Sequence, residues 1–408
     1  MTSAKDNFKR LFLTINTTGF FFSYATIIPS VILPLYALSI GATLFQISLI
    51  LGVFFGMNSA TTVIMGSLSD ILGTRKPFLM FSLIGSAIAL CLIPFISIPV
   101  YLIVLMGLFG VIISAYPPNM FGLVSEISAK TEKGKNMGIL NTSISLGWAL
   151  GSFFSGLIED LFGFALSFYI GCSFAVFAAA IILIFLKETK TGIIKDRSLK
   201  TIWHKLKRRI IPGCCGEEID YLKKNGLNWL FAAIFTRYFA YWGVLALVTV
   251  FFSTLVPIIW VGILIGLNNG LQAVTMTPIG KLSDKIGRKP IIYLGLIGTS
   301  AVLVLYAIAN CLFILIIAQI LLSFAFAGIF TGESAFVADV APEFKHNEIM
   351  GFLSFTLGFA SLTGSLIAGL LASLLGLRIM FMILAILPII GSLIVLLKVQ
   401  ETVISLNS

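Results

Sequence analysis

Apolar residues come in runs of twenty or more along the whole chain, each closed by a short polar stretch. The runs fall approximately at 11–36, 43–67, 77–97, 100–124, 136–159 and 163–186, and after a polar interval at 228–253, 256–280, 289–309, 312–336, 349–373 and 377–398. A hydrocarbon core about 30 Å thick is crossed by about 20 apolar residues in helical form. The pattern predicts an all-α integral membrane protein with twelve transmembrane helices. Residues 1–186 form an N-terminal six-helix bundle, 187–227 a cytoplasmic linker, and 228–408 a C-terminal six-helix bundle.

Composition agrees: 58% of the 408 residues are hydrophobic and 11% charged, against about 45–50% and 25% in soluble domains. The runs recur throughout, so a secretory leader does not account for them. Disorder, a disulfide scaffold and a nucleic-acid module are excluded. The net charge of +10 is explained by position. Twenty-five of the 27 Lys and Arg residues lie at the two termini, in the central linker, or in the loops on that same side. Basic residues stay cytoplasmic, so both termini and the linker are expected inside, in a multi-pass protein of the cell membrane. Arg378 is the basic residue on the opposite side, and Arg237 lies within a span. Cys91, Cys172 and Cys311 sit in apolar runs and read as small core residues. Cys214 and Cys215 are adjacent in a basic loop with no CxxC partner motif for a metal. All five are expected reduced, and no cofactor or metal is expected.

The two halves repeat. Gly52, Gly56 and Asn58 recur as Gly266, Gly270 and Gln272, and Gly66-x-Leu68-Ser69-Asp70-x-x-Gly73 as Gly280-x-Leu282-Ser283-Asp284-x-x-Gly287, all 214 residues on. After Thr74 the offset is 213: Arg75-Lys76-Pro77 matches Arg288-Lys289-Pro290, Glu126 matches Asp339, and Gly151, Gly156 and Gly163 match Gly364, Gly369 and Gly376. One indel in so long a register implies two homologous bundles in parallel orientation.

The segments GSLSDILGTRKP (66–77) and GKLSDKIGRKP (280–290) resemble the G-x-L-x-D-x-x-G-R-[RK] loop of the major facilitator superfamily of transporters, with Thr74 as a departure in the first copy. The resemblance extends over all twelve spans. It implies pseudosymmetric halves about a central cavity and solute transport by alternating access. Read from the residues alone, the loop needs glycine for its tight turn and places Asp70 and Asp284 beside cations at helix ends. Such a cluster anchors topology, and it can also bridge helix ends in one conformation and release them in another. Glu126 followed by Lys133, and Asp339 followed by Lys345 and His346, resemble the E-x6-R element of sugar-transporting branches. Together Asp70, Arg75, Asp284, Arg288, Glu126 and Asp339 are expected to stabilise the state closed to the cytoplasm; solvated helix-end charge is the alternative.

Stripes of small residues (Gly147, Gly151, Ser155; Gly262, Gly266, Gly270) permit close helix approach. They serve either the seam between the halves or ordinary membrane packing. Ionisable residues inside a span are functional candidates. Arg237 lies near mid-depth of the seventh span, on a face with Tyr241 and beside Tyr238, and Glu333 about one turn inside the cytoplasmic end of the tenth. A cation flanked by aromatic and hydroxyl groups suits an anionic or polyhydroxylated ligand; the alternative is a structural Arg paired with Glu333 or a backbone carbonyl. Tyr24, Asn58, Asn119 and Gln272 are further candidate solute contacts, with Asn16, Trp148, Asn268, Asn269 and Gln319 weaker, or else interhelical glue.

His204 and His346 lie in loops, so no intramembrane triad supports hydrolysis, and no Walker loop supports ATP drive. The protein is expected not to be an enzyme. The fourth span lacks the Arg usual in proton antiporters of the superfamily, and the first lacks an acid. Glu333 is the candidate for any proton coupling. In the linker, Trp203, Leu206 and Ile210 fall on one face of a basic segment, as an interfacial helix or a charged tether. The expected function is movement of a small solute by a monomer in the bilayer; a non-transporting receptor on the same fold is the alternative.

Overall fold

In the computed structural model, described over residues 2–129, 132–186, 224–340 and 346–402, the chain is helical and the described residues contain no strand. Seven helices make the first bundle: α1 Thr2–Ser39, α2 Leu44–Leu72, α3 Lys76–Leu92, α4 Pro99–Ile113, α5 Tyr116–Ile127, α6 Lys133–Phe162 and α7 Phe164–Phe185. Six make the second: α8 Leu227–Ser253, α9 Ile258–Ile286, α10 Arg288–Ile308, α11 Leu312–Val340, α12 His346–Leu375 and α13 Leu377–Lys398. The linker segment Trp203–Ile210, Cys214, Cys215 and Lys345 lie outside the described residues.

The expected fourth span is two helices, α4 and α5, broken at Ser114–Ala115. Tyr116 is followed by Pro117 and Pro118, which lack N–H donors and sit in the first turn of a new helix. Eleven of the twelve spans are long and apolar enough to cross a bilayer on their own composition. The twelfth, α6, carries Asn, Ser and Gly on the faces that it lays against α1 and α9, which lowers its hydropathy, and exposes Leu146, Leu150, Phe153 and Phe154 on the remaining face.

Local chemistry sets the ends of the helices. A capping box starts α2: Gln46 N donates to Thr43 Oγ1 at 3.2 Å, and Thr43 N to Gln46 Oε1 at 3.0 Å. Gly73, in the left-handed region at φ 63°, ends it. On α3 a lipid-facing stripe of Phe81, Ile84, Ile88 and Leu92 is exposed while Leu79, Leu83 and Leu90 are buried, so both faces are apolar. Arg378 caps the end of α10, its Nη1 and Nη2 donating to Ala307 O at 3.1 Å and Ala309 O at 2.7 Å.

Both described chain ends, with the turns after α2 and α9, lie at one end of the molecule, here the terminal end; the turns after α1, α6, α8 and α12 lie at the far end. The halves meet through two repeat-related contacts, α2 against α12 and α6 against α9.

Candidate functional site

The α6–α9 contact is closest in its far-end portion, while the α2–α12 contact stays close from there to mid-helix, where a methyl on Gly358 would meet Ser59 Cβ. A methyl group on Gly156 would lie 2.8 Å from Gly262 Cα, and one on Gly266 2.9 Å from Ala149 O. On the other contact, a methyl on Gly52 would lie 2.7 Å from Ser365 Cβ and one on Gly369 2.5 Å from Ser48 Cβ. Backbones this close exclude any larger side chain. Asn269 Nδ2 also donates across the seam to Ser152 Oγ at 3.2 Å. Toward the terminal end α6 stands free of α9, and a methyl on Gly134 or Gly138 would meet nothing within 4 Å among the described residues.

Below the seam lies a cavity of about 390 Å³ between the halves, within the range of small-ligand sites. Thr26, Ser30, Asn58 and Ser59 line it from the first half, and Asn269 and Gln272 from the second. Aromatic rings are a prominent part of the remaining wall, among them Phe55, Trp148, Tyr238, Tyr241, Trp242 and Phe326. Phe55 and Trp242 meet across the halves, their rings tilted by 45° with centroids 4.2 Å apart. None of the described lining residues carries an ionised side chain.

The two intramembrane charges lie behind this wall. Arg237 is 0% exposed, with its guanidinium carbon 4.3 Å from the Tyr238 ring centre, 4.7 Å from that of Tyr241 and 5.2 Å from that of Phe326. Its three guanidinium nitrogens make no hydrogen bond among the described residues. Glu333 is also buried; its Oε1 accepts from Tyr238 Oη at 2.8 Å and its Oε2 has no partner among them. Tyr238 thus shows its ring to the cavity and its hydroxyl to Glu333. Cation–π contact in a desolvated setting stabilises Arg237 by about 2 kcal/mol, and Glu333 supplies opposite charge nearby.

Of the expected solute contacts, Tyr238, Tyr241, Asn58 and Gln272 line the cavity, and Arg237, Glu333, Tyr24 and Asn119 do not in this conformation. Tyr24 packs edge-on against Phe174, ring centroids 4.4 Å apart, with its backbone against Gly147 and Gly151. Asn119 Nδ2 donates to Ala115 O at 2.7 Å, satisfying a carbonyl at the α4–α5 break. Arg237 contacts rings and makes no hydrogen bond to Glu333 or a carbonyl among the described residues; Tyr238 lies between the two charges. Tyr306, Phe326 and Phe330 also line the cavity. Their signal in the sequence, an i,i+4 aromatic pair on α11, was submerged among 36 phenylalanines.

The six helix-end charges assemble into two related triads at the terminal end. Arg75 Nη2 lies 2.8 Å from Asp70 and 2.8 Å from Glu126; Arg288 lies 2.6 Å from Asp284 through Nη1 and 3.1 Å from Asp339 through Nε. Each arginine also donates to the matching serine, Ser69 at 3.2 Å and Ser283 at 3.3 Å. The adjacent lysines repeat too: Lys76 Nζ donates to Leu183 O at 2.9 Å and Lys289 Nζ to Leu396 O at 2.8 Å, capping the last helix of each half. Lys133 donates instead to Ser125 Oγ at 3.1 Å.

Two six-span bundles related by a parallel repeat, clasped around a central cavity, have the architecture of a membrane transporter. Residues 13–258 and 257–407 match the Major Facilitator Superfamily, and the chain belongs to that family. It is 26% identical over 377 residues to an uncharacterized MFS-type transporter of Methanocaldococcus jannaschii, covering 91% of this chain and 93% of that one. It is 22% identical over 379 residues to the multi-drug resistance efflux pump PmrA of Streptococcus pneumoniae, covering 90% of each. The fold is similar to that of the nucleoside transporter NupG, with TM-score 0.75 and 14% identity over 95% of this chain and 99% of that one. It is also similar to a bacterial homolog of the human lysosomal transporter Spinster, with TM-score 0.77 and 11% identity over 95% and 96%.

Proposed function

We propose that the protein moves a small organic solute across the cell membrane as a monomer, presenting the central cavity first to one side and then to the other. The observation that carries this reading is the cavity itself, enclosed between repeat-related halves that are clasped at the far end and parted at the terminal end. Charge supports its orientation: 25 of 27 basic residues belong to the termini, the linker and the loops of the terminal end, the distribution expected of a cytoplasmic side. The solute meets Tyr238, Tyr241, Asn58 and Gln272 with Trp148 and Trp242. An anionic solute would need Arg237 to emerge from behind the rings; a hydroxylated one needs only the hydroxyls and carboxamides already present. Asp70, Arg75 and Glu126, with Asp284, Arg288 and Asp339, brace helix ends within each half here. Their gating role is exerted as the terminal end closes.

Solute counterflow in proteoliposomes, run across sugars, organic anions, amino acids and lipophilic cations, tests the transport claim. A receptor would bind a ligand saturably without equilibrating it. Alternating access is tested without any solute by Asn58→Cys in a cysteine-free chain. Membrane-impermeant thiol reagents should label it from both sides of the membrane; labelling from the cytoplasmic side alone would refute the reading.

A further inference from the structure

The far end of the molecule is poor in cations. Arg378 is the basic residue there, and its two terminal nitrogens are committed to Ala307 O and Ala309 O. Glu159 is nevertheless buried at this end. It lies on α6 three residues before Phe162 closes the helix, is 8% exposed, and its Oε2 has no hydrogen bond among the described residues. Ser152 and Gly156, earlier on the same helix, touch α9 at Asn269 and Gly262. Residues three and seven apart share a helix face, so Glu159 continues the seam to its far edge. The repeat supports that placement. At the offset of 213, Gly156 matches Gly369, Gly163 matches Gly376, and Glu159 matches Ala372, which is 2% exposed on α12 beside α2. One seam holds a packed methyl group at this position and the other a carboxyl group.

The helices packed on α6 bring nothing to balance a charge there. The far-end two turns of α1 (32–39), α7 (164–171) and α9 (258–265) contain no acidic or basic residue. Tyr36 and Tyr169 are their titratable groups: Tyr36 Oη donates to Pro94 O at 3.2 Å and Ile96 O at 2.9 Å, and Tyr169 is exposed. The fourth neighbour, α5, ends at the terminal side, where its Glu126 is held by Arg75. Asp160, next along α6, is exposed and adds like charge. Arg378 lies on α13, which packs on α8, α10 and α12. An ionised carboxyl buried without a cation costs several kcal/mol, and such a group stays neutral by keeping a proton. In water the same group gives it up.

Resting on the reading that this seam opens in the transport cycle, we infer that Glu159 is a proton-binding site of the seam: its carboxyl takes a proton from far-side water as α6 closes on α9 and returns it as they part. Acid on the far side therefore favours the cavity open to the terminal end, and base favours the far-side-open state. The same side supplies and receives the proton, so this site moves no net proton across the membrane.

The test reads the separation of the halves at the far end of the full chain. Spin labels are attached at Tyr101→Cys on α4 and Thr254→Cys after α8, both exposed there on opposite halves, in a cysteine-free chain held in lipid nanodiscs. Distances are recorded by double electron–electron resonance between pH 8 and pH 5. The ratio of short to long distances should rise in acid by about tenfold or more over that range, one proton allowing at most about tenfold per pH unit. Glu159→Gln, neutral at every pH, should hold the short distance throughout, and Glu159→Asp should keep the response. Glu159→Ala, which copies the matching seam position, takes the place of Glu159→Gln should that variant fail to fold. A parent distribution that ignores pH, one that lengthens in acid, or a response that survives unchanged in the neutral variants would overturn the inference. Labelling of Asn58→Cys from both sides alongside such a result would discard only the proton site and leave alternating access standing.

Discussion

At the residue scale the decisive feature is one arginine and one glutamate sharing a tyrosine. Arg237 and Glu333 are both buried, and the Tyr238 hydroxyl bonds Glu333 while its ring faces the guanidinium. Removing one member of a buried opposite pair is more damaging than replacing both, because the survivor is left as an uncompensated charge. Glu333→Leu should lower stability by about 3–5 kcal/mol, read as a shift in detergent unfolding. The double variant Arg237→Leu with Glu333→Leu should lie closer to the parent than either single change. Tyr238→Phe leaves the Glu333 oxygen without its donor and should cost about 1–3 kcal/mol. It should also alter solute affinity, since the same ring lines the cavity. Should the double variant prove less stable than both singles, the charges are acting independently and the pairing is wrong.

At the element scale the signature loop is a fastening between helix ends. The first N–H groups of α10 have no partner within their helix, and Glu401 supplies it. Its Oε1 accepts from Arg288 N at 2.9 Å and its Oε2 from Lys289 N at 3.0 Å, while Thr402 Oγ1 donates to Asp339 at 3.0 Å. The residues after α13 are thereby tied to the second triad. A carboxylate at a helix N-terminus contributes about 0.3–1 kcal/mol, with salt screening it. Glu401→Ala should therefore reduce the thermal midpoint by a degree or a few, and the loss should shrink at high ionic strength. Gly287 tolerates no side chain: its φ is 106°, and a methyl there would meet the Glu401 carboxylate. Gly287→Ala should disturb this fastening more than Glu401→Ala does, in the same unfolding measurement.

At the scale of the whole molecule the far-end seam holds the present conformation. Ser152 and Asn269 touch across it, and Gly156 and Gly262 meet backbone to backbone beside them. A disulfide or short thiol cross-link between Ser152→Cys and Asn269→Cys in a cysteine-free chain should hold the cavity open to the terminal end only. Counterflow should stop and return on reduction of the disulfide, with binding from the open side retained. Gly156→Leu should act oppositely, wedging the seam and favouring the far-side-open state, detected as faster labelling of Asn58→Cys from outside. Unaltered counterflow in the cross-linked protein would show that the seam does not open during the cycle.

Much of this was legible in the chain as written. Hydropathy reports depth, so the twelve spans and the ends of the molecule were readable, and positive charge implied which end faces the cytoplasm. The repeat register went further: the change of offset from 214 to 213 at Thr74 aligned Arg75 with Arg288 and Glu126 with Asp339, and the structure joins each in the same geometry. The break at Tyr116-Pro117-Pro118 was present as two prolines but hidden by unbroken apolarity. What only the tertiary structure decided was the rotation of each helix about its axis. In water a polar face marks the outside; in a bilayer lipid and packed interior are both apolar, so periodicity does not say which face meets the cavity. Sequence position put Arg237 near the middle of its span, but only packing could put Tyr238 and Tyr241 in front of it. It likewise turned Tyr24 and Asn119 into the first bundle and buried the side-chain carbonyl of Gln319 without a partner among the described residues.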